Sequence, residues 1–342
     1  MGNCGSNLPN DTYIFRITDC TGMFQHAVFS VPDPSEGYTT DDNARALIMA
    51  EMLYQDSKDK KYLELAYCYL RFLLYAENDG WFRNFMDYSR SFLEKRGSPD
   101  CFGRCIWALG FTIACPEMPE RMRSAAECLL RKVLPSCKEL AFLRSKAYAA
   151  IGLSHWDHAE AQDEARHLVS DLADAYQKNR SQDWYWYENN LSYCNAVLPG
   201  AMLVAYDMTK ENKYLEIATE SLDFLLKSTF RGNIFHPIGC NGWLFKGKEA
   251  AEYDQQPVEA CGTLLTCLKA FQITGKQVYL DRAQGCLNWY TGQNSLGESM
   301  IDPESGGCLD GIRQVGQNPN EGAESIVSWM VAALAFRRVS QN

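Results

Sequence analysis

The residues of this sequence most able to do chemistry are carboxylates placed at helix starts. The first group reads Tyr38-Thr-Thr-Asp41-Asp42-Asn43-Ala-Arg45. Thr40 or Asp41 can cap the helix, because an N-cap oxygen accepts from a free backbone N–H. A cap accounts for one carboxylate, not for two in a row followed by Asn43. Like charges this close push one carboxyl towards its protonated form, the state that proton-handling chemistry uses. Arg45, four residues after Asp41, is placed to hold it ionised. The plainer reading of the same residues is a cap with a surface ion pair.

The second group is Asn318-Pro-Asn320-Glu321-Gly-Ala-Glu324-Ser325. Asn320 is a good cap, and Glu321 suits the positive end of the helix dipole. Glu324, one turn in beside two small residues, is the better candidate for a second catalytic carboxylate. The third group, Asp254-Gln-Gln-Pro257-Val-Glu259, offers Asp254 and Glu259 as further acids and Gln255 as a hydroxyl binder. Ser98-Pro-Asp100 reads as a cap, with Arg104 one turn on and facing the centre.

Paired carboxyls are what glycoside hydrolysis requires, roughly 6.5–9.5 Å apart for inversion and about 5–5.5 Å for retention. The loops supply the matching aromatic faces: Asp79-Gly-Trp81-Phe82, Trp184-Tyr-Trp186-Tyr-Glu188-Asn-Asn, and Asn241-Gly-Trp243. Flat rings cover the C–H face of a pyranose while amides and carboxylates take its hydroxyls. Trp81, Trp184, Trp186 and Trp243 are therefore the expected subsite walls, unless they staple loops to the core. Glu188 is a reserve carboxylate, and His26, in Thr21-Gly-Met-Phe-Gln-His26, is placed to line the site. His155-Trp-Asp-His158 lacks a third ligand at zinc spacing, so no metal is expected. Phosphate-cradling and nucleophile-elbow motifs are absent, and no cofactor is expected.

The elements that position these groups are helices. Tyr62-Leu-Glu-Leu-Ala66, Tyr214-Leu-Glu-Ile-Ala218 and Tyr279-Leu-Asp-Arg-Ala283 share one pattern, with Leu70, Leu222 and Leu287 four residues beyond. That spacing lays one apolar stripe along a helix. Each follows another apolar-periodic helix and a short polar turn, so the repeating unit is a helical hairpin. First helices are expected near residues 41, 100, 144, 194, 257 and 321, and second helices near 60, 118, 158, 212 and 277. A short helix around 10–18 can close the set. The tally predicts an all-α (α/α)6 toroid in one domain over 1–342. The long, unequal loops argue against an open superhelix of tightly spaced repeats.

Composition removes other classes. A formal charge of −10 gives no electrostatic footprint for nucleic acid or an anionic membrane. No apolar run reaches the roughly 18 residues of a membrane span. The 14 cysteines include no Cys-x-x-Cys; Cys68, Cys105, Cys128, Cys261, Cys267 and Cys286 sit in helical patterns as small buried hydrophobes. No signal peptide is evident, so the expectation is reduced thiols and a cytoplasmic protein. Met1-Gly-Asn-Cys4-Gly-Ser matches an acylation pattern, against the readings of a flexible start or a remnant of cloning.

Asp19-Cys-Thr-Gly-Met-Phe-Gln-His-Ala, Gly37-Tyr-Thr-Thr-Asp-Asp-Asn-Ala-Arg-Ala46, Asp254-Gln-Gln-Pro-Val-Glu-Ala and Glu321-Gly-Ala-Glu-Ser together resemble a bacterial, glycosyltransferase-associated family of the six-hairpin glycosidase-like superfamily. The similarity runs from about Asp11 to Arg338. It implies an (α/α)6 toroid, a carbohydrate ligand, and a glycosyltransferase or mannoside-processing enzyme as partner. The residues favour a glycoside hydrolase of inverting geometry acting on a short oligosaccharide. In that reading Asp42 (or Asp41) is the general base and Glu324 the general acid. A phosphorylase, a sugar epimerase and a glycan-binding scaffold are the alternatives.

Overall fold

The computed structural model describes residues 8–340; the acylation pattern lies outside them. Six inner helices form a ring: α2 (Thr40–Ser57), α4 (Pro99–Ala114), α6 (Leu143–Ser154), α8 (Val197–Thr209), α10 (Pro257–Thr274) and α12 (Ala323–Ser340). Each packs on the next, and α12 packs on α2, which closes the ring. Five outer helices, α3 (Lys60–Ala76), α5 (Glu120–Val133), α7 (Ala159–Asn179), α9 (Asn212–Thr229) and α11 (Gln277–Tyr290), pair with the inner helix preceding each of them. The short α1 (Thr12–Arg16) takes the sixth outer place, donating from Tyr13 Oη to the Glu321 carbonyl at 2.7 Å. The fold is the expected (α/α)6 toroid.

The two helix classes differ in sequence because they differ in surroundings. Residues 42–53 of α2 are buried without a break, as an enclosed helix requires. Outer helices bury one stripe: Tyr62, Ala66 and Leu70 on α3, and Tyr214, Ala218 and Leu222 on α9. Two inner helices approach so closely that only glycine fits between them. A Cβ on Gly110 of α4 would lie 2.0 Å from the Gly152 carbonyl oxygen of α6, and one on Gly152 would lie 2.3 Å from that of Ile106.

Inner-to-outer turns are short, whereas the outer-to-inner loops, such as 180–196 and 291–322, are long. These loops gather on the face where the inner helices begin. Two-residue ladders tie them together: Tyr38–Thr39 with Phe85–Met86, and Asn190–Leu191 with Leu244–Phe245. The thirteen cysteines of the described residues are unpaired, and Cys128 is exposed on α5 rather than buried, because it falls off that helix's apolar stripe.

One buried acid belongs to packing alone. Glu51 of α2 is enclosed, accepts from Thr112 Oγ1 of α4 at 2.6 Å, and has no partner at Oε2. Burial pushes its pKa up to about 8, against the pull of the Thr112 bond. The folded state therefore holds a proton that the unfolded chain releases near 4.5, and stability falls as pH rises between those values. Glu51→Gln is expected to be near neutral at pH 5 and to stabilise by roughly 3 kcal/mol at pH 7–8. Urea titrations at the two pH values measure the difference; equal effects would exclude a buried proton.

Candidate active site

The mouth of the ring is built from the first turns of the inner helices. Thr39, in extended backbone, caps α2 by accepting from Asp42 N–H at 3.1 Å. The expected cap at Thr40 or Asp41 is thereby corrected, and both aspartates are left free for other partners. Thr40 instead donates to the Arg83 carbonyl at 2.5 Å.

Arg45 is the centre of the cluster. Its Nη2 donates to Asp42 Oδ1 at 2.7 Å, its Nη1 to Glu324 Oε2 at 2.9 Å, and its Nε lies 3.7 Å from Asp41 Oδ1. Because Asp41 and Glu324 meet one guanidinium, these oxygens lie closer than the roughly 9.5 Å limit for glycosidase carboxylates. Arg104 of α4 grips the other oxygen of Asp41 and donates to Cys194 Sγ at 3.1 Å.

The environments of the adjacent aspartates differ. Burial alone would raise Asp41, but Arg104 and Arg45 outweigh it and hold its carboxyl below the usual range. Its Oδ1 is buried and accepts no hydrogen bond, although the side chain as a whole is 19% exposed. Asp42 is 7% exposed and has both oxygens taken, one by Arg45 and one by the Thr39 hydroxyl. Burial pushes it up to about 6, helped by the charges of Asp41 and Glu324 and opposed by Arg45. Glu324 is 35% exposed and is the carboxylate of this cluster most open to solvent.

A second half of the mouth adjoins it. Arg144, in the first turn of α6, donates to Glu188 Oε2 at 2.7 Å, to Asn195 Oδ1 at 3.3 Å and to the Tyr193 carbonyl. Glu259, in the first turn of α10, accepts from the backbone N–H groups of Cys194 and Asn195. Residues 193–195 are therefore clamped from three helices, α4, α6 and α10, with Cys194 held at φ 45°. Such a conformation persists only where its surroundings over-determine it. Burial pushes the Cys194 thiol up, against Arg104, so a thiolate nucleophile is not formed there. Tyr193 is 37% exposed, lies under the Arg144 guanidinium, and donates to Asp100 at 2.6 Å.

Asp41, Asp42, Arg45 and Glu324 are thus brought together, and Glu188 and Glu259 stand around the adjoining 193–195 segment. Asn43 is a tether: it accepts from Met23 N–H at 2.9 Å and donates to the Thr39 carbonyl at 2.8 Å, leaving nothing for a ligand. Gln255 is enclosed and fully engaged by Trp289, Ser295 and the Glu252 carbonyl, so it is no hydroxyl binder. Glu321 packs against the 305–307 turn rather than Arg45, where burial and Asp302 push it up to about 7. Asn320 does not cap α12. It joins His26 Nδ1 at 2.9 Å and Asp310, whose carboxylate accepts from Gly322 N–H and thus takes the capping role. Asp254 stays half-buried on its loop, its carbonyl accepting from Cys240 N–H.

Most of the expected aromatic walls are core. Trp81 stacks on Phe102 with centroids 4.1 Å apart, Trp184 packs edge-on to Phe224, and Trp186 is fully buried. Enclosed rings offer no face to a sugar. Trp243 is half-buried, at φ 57°. Arg144 and Tyr193 escaped notice in the sequence, although Arg144 sits at a helix start like the residues that were found. Among the described residues no group of three metal-ligating side chains converges, and no helix is long and apolar enough to cross a membrane.

No family model and no curated protein matches the sequence. Solved structures do match over nearly the whole chain. A cellobiose 2-epimerase from Bacillus thermoamylovorans is 12% identical with a TM-score of 0.75, covering 98% of this chain and 96% of that one. A D-mannose isomerase is 13% identical at 0.75, covering 96% and 95%. An inactive variant of a family 76 α-1,6-mannanase from Salegentibacter sp., in complex with α-1,6-mannotetrose, is 13% identical at 0.66, covering 96% of each chain. The chain shares the (α/α)6 toroid fold of these solved structures.

Proposed function

We propose that the protein hydrolyses a glycosidic bond in a short oligosaccharide, with α-mannosides the first class to test. The observation that carries this reading is the single Arg45 guanidinium holding Asp41, Asp42 and Glu324 at the ring's mouth. Asp41, held ionised by Arg104 and Arg45 in a side chain that is 19% exposed, is the base that takes a proton from the attacking water. Glu324, the exposed partner, delivers a proton to the leaving oxygen. Asp42 orients Arg45 and does not touch the sugar. Tyr193 and Trp243 supply apolar faces, and Glu188 and Arg144 take hydroxyls beyond the cleaved bond. In the inactive mannanase variant of the same fold two adjacent aspartates are replaced by alanine, which supports giving the adjacent pair here a central part.

An epimerase or isomerase of this fold would need two proton-shuttling groups facing one sugar carbon. The five histidines do not converge: His26 joins Asn320 at the mouth, His158 stacks on Trp156, and His236 lies beside Gln255. A phosphorylase gains support from Arg45 and Arg104, which the sequence offered, together with Arg144, which it did not, but each is already matched by a carboxylate. The test is proton NMR of purified protein with manno-, gluco- and galacto-oligosaccharides, with and without phosphate. Cleavage without phosphate is expected. Phosphate-dependent cleavage would establish the phosphorylase. Sugar binding without product, together with capture of a glycosyltransferase, would leave a scaffold.

A further inference from the structure

A cluster of reactive side chains that the proposed sugar chemistry does not use lies where the segment after α1 crosses α3. Cys20 is exposed on that segment, and Cys68 is buried on α3. Both line one cleft with Phe15, Leu65 and Arg71. The Cys68 thiol donates to the Asp19 carbonyl at 3.5 Å, which sets its sulfur no more than about 6.5 Å from Cys20 Cα. Burial pushes the Cys68 thiol up against the pull of Arg71, and Asp19 and Cys20 are near enough to add to the rise.

Two guanidinium groups converge on Cys20. Arg71 donates from Nη2 to the Cys20 carbonyl and, at 3.3 Å, to Cys68 Sγ. Arg90 donates to Cys20 Sγ at 3.4 Å. Both arginines are exposed, and among the described residues neither pairs with a carboxylate. The acids nearby are engaged: Asp19 accepts from Thr21 N–H, Gly22 N–H and Tyr38 Oη, and Asp11 pairs with Lys61. Glu64, one turn before Cys68, is the remaining acid of the cleft. Arg90 is held at φ 67°, its carbonyl accepting from Tyr75 Oη at 3.2 Å. A non-glycine residue at such a φ is uncommon, and this one supplies a cation that glycine could not. Exposed Cys128 and Cys240 have no such setting. Cys128 follows Glu127, which already takes Arg131, and burial and the charge of Asp254 push the Cys240 thiol up.

We propose that Cys20 is a thiol-exchange site for anionic low-molecular-weight disulfides, with Cys68 as the resolving thiol. Cys20 gives up its proton and attacks one sulfur of the disulfide RSSR. That S–S bond breaks, Cys20–S–S–R forms, and the departing RS⁻ takes up a proton. Cys68 then loses its proton, attacks the Cys20 sulfur and expels the second RSH, leaving a Cys20–Cys68 disulfide. In sum the two protein thiols lose two electrons and two protons, and one RSSR becomes two RSH. Carboxylates carried by R meet Arg71 and Arg90.

The test treats the reduced whole protein, at pH 8 and low salt, with oxidised glutathione (anionic), 2-hydroxyethyl disulfide (neutral) or cystamine (cationic). Intact mass and non-reducing peptide maps follow the products. The first adduct is expected at Cys20, ahead of Cys128 and Cys240. The rate ratio of oxidised glutathione to cystamine at Cys20 should exceed the same ratio at Cys128 by at least about tenfold. That excess should shrink at 1 M NaCl, where screening acts over about 3 Å. Arg71→Gln combined with Arg90→Gln should remove it, and because both side chains are exposed the fold should hold. The parent protein should pass from the adduct to the Cys20–Cys68 disulfide, whereas Cys68→Ser should keep the adduct. Should that variant not fold, the peptide map of the parent reads the same link directly. Adducts spread evenly over the three exposed thiols, a charge preference that survives loss of both arginines, or a lasting adduct in the parent would overturn the proposal. None of these readouts depends on turnover at the mouth.

Discussion

Asp41→Asn and Glu324→Gln are each expected to lower kcat on a cleaved oligosaccharide by at least about a thousandfold while leaving the fold intact. General acid–base catalysis contributes typically 10²–10⁴-fold, and both groups act in the same bond cleavage. Glu324→Gln, at a side chain 35% exposed, should change Tm little. Asp41→Asn takes the carboxylate from the buried Arg104 guanidinium and should lower Tm, while circular dichroism of both variants stays that of the folded ring. Asp42→Asn is expected to cost far less, about tenfold, because its two oxygens are already committed to Thr39 and Arg45. This order departs from the sequence-based preference for Asp42 as base and takes Asp41, the alternative the sequence also offered. A variant set in which Asp42→Asn is the inactive one would restore that preference. Azide rescue of Asp41→Asn, but not of Asp42→Asn, would mark the group that attacks or activates the attacking water.

Arg45→Gln is expected to be the most destabilising change at the mouth. Removing one partner of a buried ion cluster leaves charge uncompensated and costs about 3–5 kcal/mol. Here three carboxylates lose the same cation. Without it, burial and the charge of Asp41 raise the proton affinity of Asp42 still further above that of the unfolded chain. The folded variant then binds more protons than the unfolded one, so its stability falls as pH rises. Thermal melts at pH 5 and pH 8 should show a larger deficit against the parent protein at pH 8. A deficit equal at both values would mean that Arg45 acts by packing its stem, not by charge.

The ring was legible because its signal is periodic and repeated. The apolar stripe beginning at Tyr62, Tyr214 and Tyr279 placed the outer helices, and the gaps between them placed the inner ones. Asp41, Asp42, Arg45 and Glu324 were legible because helix starts carry polar residues for few reasons. What the sequence hid was pairing over distance. The α12 start is capped from Asp310, across a hairpin, instead of by the adjacent Asn320. Gln255 resembles a sugar ligand until Trp289, 34 residues on, is seen to occupy it. The Trp184–Tyr187 run has the composition of a binding cleft, yet Trp184, Trp186 and Tyr187 are buried by packing against Phe224 and Tyr176. Composition does not say which side of a loop faces inward.

The closure of α12 on α2 also sets a timetable. Arg45 and Glu324 are 279 residues apart in the chain. At translation rates of about 5–20 residues per second, roughly 15–55 s separate their synthesis. During that interval the inner face of α2 lacks its final neighbour, and Asp42 and Arg45 stand in a half-built wall open to water. The nascent ring must therefore remain an open arc until its last hairpin arrives. A pause or truncation anywhere after α2 leaves the proposed site without Glu324 and exposes apolar surface that the finished ring conceals.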